Sequence, residues 1–213
     1  MLGGLASSAR MKEQHSKIER FNAFSDGVFG VLITILVLDL RPPESPAFSG
    51  LLSRWPTWLS YAVSYWFIAI VWVNHHHLLR CAEMATPRLI WVNFAHLFAA
   101  SFVPFSTAWI ANSRLAPFPV ALYAADFVLV NATHIALRWA VANQLRGVDL
   151  QMDMARLMKV RAFFTLGVFT LATILSLKWP WVGMGLICFC LLLYVRPDLP
   201  AIKPKEIAPR KGE

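Results

Sequence analysis

Long apolar stretches separated by short polar breaks dominate this chain. Six of them can be drawn, at about 20–40, 58–79, 88–112, 119–141, 160–177 and 180–195. The first is the clearest. Residues 21–40 number twenty, roughly 30 Å of helix and one bilayer core, and hold only Asp26 and Asp39 as charges. Arg41-Pro42-Pro43-Glu44-Ser45-Pro46 ends the run, because proline stops a helix and constrains the residue before it. Pro87 opens the third stretch, where its missing N–H costs nothing. Lys178-Trp179-Pro180 alone joins the fifth to the sixth, which predicts a tight helical hairpin. The pattern predicts an all-α integral membrane protein with six transmembrane helices. Residues 1–19 form a polar N-terminal tail, 20–196 the spanning domain, and 197–213 a polar C-terminal tail, disordered after Pro200.

Composition agrees. Of 213 residues 57% are hydrophobic, and mean hydropathy is positive at +0.53, more apolar than a soluble domain of this size needs. The net charge of +8 does not point to nucleic acid, because the basic residues sit in the breaks between apolar stretches rather than on one face. Their placement orients the chain. With both termini inside, sixteen of the twenty Lys and Arg fall on the inner side, and only Arg41, Arg54, Arg114 and Lys178 fall outside, as the positive-inside rule requires. Trp55, Trp58, Trp109, Trp179 and Trp181 then collect at the outer interface. Residues 1–17 lack an apolar core of the signal-peptide kind. Cys81, Cys188 and Cys190 imply no disulfide framework.

The candidate chemistry starts with Asp26, since an acid inside a spanning segment is costly and points to function. With Asp26 at zero on a helical wheel, Gly27, Thr34, Leu38 and Val31 fall between about 80° and 140° and form one stripe. Asp26 lies about 110° from its centre, so acid and stripe face different neighbours. Arg20 and Asp26 are about 240° apart, and each is expected to meet a partner on another helix. Asn74-His75-His76-His77 closes the second stretch. Three consecutive histidines point in three directions on a helix, which argues against a shared metal; His96 and His134 stand alone on their helices. Asp126 and Asn131 suit interhelical hydrogen bonds. Pro104 should kink the third helix, with Ser101, Ser106 and Thr107 placed to satisfy the groups it exposes.

Arg20-x-x-x-Phe24-Ser25-Asp26, at the head of the first spanning helix, resembles the signature of the transmembrane protein 175 family of potassium channels in its bacterial six-helix form. The resemblance implies a homotetramer in a bacterial plasma membrane, with four first helices around a central pore. It implies that Val31 forms the narrowest layer, Thr34 a threonine layer that favours potassium, and Leu38 a second apolar layer. Relatives usually carry Ile or Leu at the narrowest layer, so Val31 is smaller. The motif, Arg20, Phe24, Ser25 and Asp26, with Asn74, His75, His76 and His77, is expected to clasp the pore helix to its neighbours. Potassium ions and lipid are the implied partners, with no cofactor and no enzymatic activity. No Thr-Val-Gly-Tyr-Gly filter and no regularly spaced arginine helix is present, so a carbonyl filter and a built-in voltage sensor are not expected. Two other classes remain open on the residues alone. One is a proton-coupled secondary transporter using Asp26, Asp126 or a histidine; inverted repeats and broken helices would favour it. The other is a membrane metalloenzyme built on the histidines.

Overall fold

The computed structural model describes residues 2–144 and 152–194, with side chains for 16–144 and 160–194. Its helices are α1 Leu2–Leu38, α2 Phe48–Ser53, α3 Trp55–Arg80, α4 Pro87–Ala100, α5 Val103–Asn112, α6 Pro117–Ala142, α7 Met152–Ser176 and α8 Pro180–Tyr194. Among the described residues, four stretches are long and apolar enough to cross a bilayer: Ser16–Leu38, Trp55–Arg80, Pro87–Asn112 and Pro117–Ala142. Val160–Ser176 and Pro180–Tyr194 are apolar but shorter.

Three features depart from the sequence expectation. The first helix does not begin near residue 20 but runs back to Leu2, because 5–20 contains no Pro or Gly and is rich in Ala, Glu, Lys, Gln and Arg, good helix formers. The third apolar stretch is two helices rather than one kinked helix. Pro104 has no N–H to return to Ala100, and the chain turns at Ser101 and Phe102. The hydroxyls of Ser101, Ser106 and Thr107 bond carbonyls on either side of the turn, and none of them reaches the Ala100 carbonyl. Ser101 Oγ donates to Phe98 O at 2.7 Å and Thr107 Oγ1 to Val103 O at 2.6 Å. The short α2 was not foreseen. The Pro200 tail lies outside the described residues.

Helix α6 is the axle of the bundle. It packs on α4, α5, α7 and α8, and α3 touches it as well. Val120, Tyr123, Ala124, Phe127, Val130 and Leu137 of α6 are buried. Phe67 of α3 stacks on Phe127 with ring centroids 3.5 Å apart, and Phe169 of α7 meets both edge-on. Helix α1 lies at the side, against α3 with smaller contacts to α4 and α5. Trp55 and Trp181 stack at 5.5 Å, bringing the starts of α3 and α8 to the same end of the bundle.

The α7–α8 hairpin closes on a glycine. A Cβ on Gly183 would lie 1.8 Å from Ser176 Oγ and 3.0 Å from Ala172 O. Ser176 Oγ is itself tied to Ala172 O at 2.6 Å, so it cannot swing away without losing that bond. Gly185, two residues on, has nothing within 4 Å. Gly183→Ala should therefore destabilise the detergent-solubilised protein by about 1–3 kcal/mol, the usual cost of overpacking. Gly185→Ala should be neutral or slightly stabilising, since alanine favours a helix over glycine. Thermal melting of the two variants side by side checks the contrast.

Candidate functional site: the first helix and its clasp

Helix α1 has two faces of opposite character. Ser25, Phe29, Leu32 and Leu36 are buried, the three apolar residues at 1%, 4% and 1% exposure. Their spacing of four, three and four residues makes one seam against the bundle. Gly27, Val31, Thr34 and Leu38 are all exposed on the subunit, with Val31 at 56% and Leu38 at 79%. The stripe drawn from the sequence thus faces away from its own bundle. Leu32 points inward, and Ile33 is half-buried against the core. Thr34 Oγ1 donates to Val31 O at 2.8 Å. Its hydroxyl hydrogen is committed to the helix, so the oxygen lone pairs remain for an outside partner.

Two sets of polar contacts fix this rotation. Ser25 Oγ donates to Phe21 O at 3.2 Å and accepts from Asn93 Nδ2 of α4 at 2.9 Å. Asn93 Oδ1 then lies 2.7 Å from His75 Nε2 of α3. An amide oxygen only accepts, so His75 carries its hydrogen on Nε2. One buried chain therefore ties α1, α4 and α3 together. The second set lies nearer the surface. Trp72 Nε1 of α3 donates to Asp26 Oδ1 at 2.9 Å, and His76 Nδ1 lies 3.4 Å from both carboxylate oxygens. Asp26 and His76 are each about a third exposed, at 35% and 32%. Phe24 meets Phe94 of α4 edge-on at 5.7 Å.

The three adjacent histidines diverge. His75 enters the core, His76 meets Asp26, and His77 remains half-buried with its ring against that of His76. Among the described residues, no three His, Cys, Asp or Glu side chains are placed to hold a metal. Asn74 is half-buried and Arg20 exposed; neither side chain makes a hydrogen bond or ion pair among the described residues. The expected partner of Arg20 on another helix is thus not found among the described residues.

Sequence reading missed four participants. Trp72 sits four residues before His76 and so shares its face, a signal that was available. Asn93 left no local mark. His96 and His134, read as isolated, are not. The ring of His96 lies 5.5 Å from that of His75 and 5.4 Å from that of His134. One histidine from each of α3, α4 and α6 thus forms a row, with His96 Nδ1 3.0 Å from Thr133 Oγ1.

Comparison with known proteins identifies this arrangement. A sequence model described as "Endosomal/lysosomal potassium channel TMEM175" matches residues 20–104. A potassium channel of Chryseobacterium sp. (strain P1-3) is 30% identical over 179 residues, covering 84% of this chain and 93% of its relative. The chain belongs to the TMEM175 family. A potassium channel of Chamaesiphon minutus is also 30% identical, over 85% of this chain and 94% of its own length. The crystal structure of a lysosomal potassium-selective channel TMEM175 homolog from Chamaesiphon minutus superposes with a TM-score of 0.75 at 28% identity, over 84% of this chain and 96% of that one. The mouse endosomal/lysosomal proton channel TMEM175 is 32% identical over 91 residues, 37% of this chain but only 18% of the mouse protein. The motif, α3 and α4 all fall within the matched segment.

The clasp should behave as a coupled unit. Ser25→Ala leaves Asn93 Nδ2 without its partner, and Asn93→Ala strands His75 Nε2 while Ser25 keeps its bond to Phe21 O. Each buried polar group left alone costs about 1–3 kcal/mol. The double variant should lose less than the sum of the two, since the second change removes the group that the first had stranded. Thermal melting in a double-mutant cycle measures the coupling.

Proposed function

We propose that this protein is a passive, potassium-permeable ion channel whose pore is lined by α1. The observation that carries this reading is the rotation of α1. The hydrogen-bonded clasp turns Gly27, Val31, Thr34 and Leu38 outward from the subunit, where only lipid or another copy can meet them. A single helix encloses nothing, so the pore needs several copies around an axis; the reading is a homotetramer. Each subunit crosses the bilayer six times between residues 20 and 196, with both termini cytoplasmic, in the plasma membrane of a bacterial cell. The short stretches Val160–Ser176 and Pro180–Tyr194 are the fifth and sixth crossings.

Four copies of the stripe stack three chemistries along the axis. Val31 makes an aliphatic ring that can close the pore by dewetting. Thr34 follows one turn further out. Its hydrogen is held by Val31 O, so four hydroxyl oxygens present lone pairs to a partly dehydrated cation. Neutral oxygens favour entry without binding the ion too tightly to leave. Leu38 makes a second apolar ring. Asp26 lies off the stripe and acts on permeation through the position of α1 rather than by touching the ion.

Protein reconstituted alone in liposomes should pass potassium down its gradient with a reversal potential at the potassium Nernst value. Flux locked to protons at a fixed ratio would instead favour a carrier. Val31→Ala widens the first ring and should raise conductance. Thr34→Val keeps the shape and removes the oxygen. The potassium-over-sodium ratio should fall by about fivefold, the factor for a contact worth about 1 kcal/mol. Asp26→Asn should lower tetramer yield or open probability while leaving that ratio near its original value. Cysteines at 31, 34 and 38 should react with a small water-soluble thiol reagent and block current, whereas cysteines at 32 and 33 should not. The reverse pattern would reject the pore face.

A further inference from the structure

Helix α1 is unbroken from Leu2 to Leu38, so the line of its outward stripe can be followed toward the N-terminus. Arg20 and Leu38 are eighteen residues apart, which at 3.6 residues per turn is five turns and the same face. Val31 and Gly27 lie within about 20° of that line. The packed seam keeps its register at this end. Ile18, at 8% exposure, stands seven residues before the buried Ser25 and fourteen before Leu32. The seam that docks on the bundle therefore spans the level of Arg20 without a change of rotation. Ile18 and Arg20 are about 160° apart on the wheel, so Arg20 is turned away from the bundle. Its side chain is exposed and makes no hydrogen bond or ion pair among the described residues.

The other charges of α1 stand off this line or far along it. Lys17 and Glu19 lie about 60° and 100° from it, and Asp26 about 120°. Asp26 is also held by Trp72 and His76 of α3. Glu13 returns to the line two turns before Arg20, about 10 Å along the helix. That exceeds the Debye length of about 8 Å at physiological salt. Arg20 is thus the charge of α1 on the stripe face nearest to Val31, about 16 Å along the helix from it.

We propose that Arg20 forms a ring of positive charge at the inner mouth of the pore, which admits monovalent cations and holds divalent ones back. The inference rests on the α1-lined homotetramer proposed above. Four copies bring four guanidiniums around the axis. Arginine keeps its charge at any working pH, so protons do not switch the ring off. Its potential acts on an ion in proportion to the ion's charge. The depletion of a divalent cation is therefore the square of that of a monovalent one. Four charges roughly 8 Å from the axis, screened over a Debye length of about 8 Å, thin out a monovalent cation about threefold and a divalent cation about tenfold. Potassium still enters, while magnesium is largely kept from the Val31 ring. The Thr34 oxygens then sort ions of equal charge, so charge and hydration are read at separate levels of one helix face.

Planar-bilayer recording of the full chain, reconstituted alone, tests this. At about 0.01 M KCl, where the Debye length is about 30 Å, Arg20→Gln should raise the outward potassium current by more than about threefold. At about 1 M KCl, where that length is about 3 Å, the variant and the wild type should be alike. Cytoplasmic magnesium should block Arg20→Gln at a concentration about tenfold lower than it blocks the wild type. Arg20→Lys should keep the wild-type current and block. A ring of charge needs only the charge, whereas a clasp to a neighbouring copy would need the planar fork of arginine. Tetramer yield should be the same in all three proteins. If Arg20→Gln does not assemble, the wild type decides. Its outward conductance should rise more than in proportion to KCl between about 0.01 M and 0.1 M, as the Debye length falls from about 30 Å to about 10 Å. Unchanged current and magnesium block in Arg20→Gln, an Arg20→Lys that behaves like Arg20→Gln, or a proportional wild-type conductance would each overturn the ring and leave the channel reading standing. A wild type that passes no potassium current would overturn both.

Discussion

The rotation of α1 about its own axis is the quantity on which the rest of this protein depends. Apolar packing alone fixes it poorly. Phe29, Leu32 and Leu36 form a non-directional seam that another rotation could replace with Val31, Ile35 and Leu38 at little cost. Hydrogen bonds are directional and have no aqueous substitute inside a bilayer. Turning α1 by one residue would leave Asn93 Nδ2 without Ser25 and separate Asp26 from Trp72 and His76. Each bond adds only about 1 kcal/mol when made, but each group left unpaired costs about 1–3 kcal/mol. The clasp therefore acts chiefly by penalising every other rotation.

The same accounting explains why the polar residues are grouped in tiers rather than scattered. Near one end, His75, Asn93 and Ser25 join α3, α4 and α1. Beside them the imidazoles of His96 and His134 continue the row toward α6, with Thr133 tied to its own helix backbone. At the helix break, Ser64, Thr107, Tyr123, Ser106 and Asp126 form the second tier. Between the tiers the interior is aromatic and aliphatic, centred on the stacked rings of Phe67 and Phe127. The apolar layer supplies contact area, and the polar tiers supply register among the helices.

The helix break belongs to this scheme. Pro104 removes one backbone donor and the chain turns at Ser101 and Phe102, which leaves carbonyls that lipid could not satisfy. Ser101 bonds Phe98 O before the turn, and Ser106 and Thr107 bond Val103 O after it. Two of those hydroxyls also reach neighbouring helices, Ser106 to α6 and Thr107 to α3. A local defect thereby becomes a point of attachment.

Much of this was written in the sequence, because length and periodicity are local properties. Twenty apolar residues before a Pro-Pro pair define a spanning helix whatever surrounds it, and a period of 3.6 places Val31, Thr34 and Leu38 on one face and Asp26 on another. The family signature in Arg20 to Asp26 was legible for the same reason. What the sequence left open was which helix each face meets. It gave no warning that Asn93 bridges Ser25 and His75, that His96 and His134 join the row of His75, or that Arg20 finds no partner among the described residues. Those facts depend on pairs 18 to 68 residues apart in the chain, and no local pattern encodes such pairs. Tertiary packing decided them, because in a medium without water a polar side chain must find its partner on another helix, and only the folded bundle determines which one lies within reach.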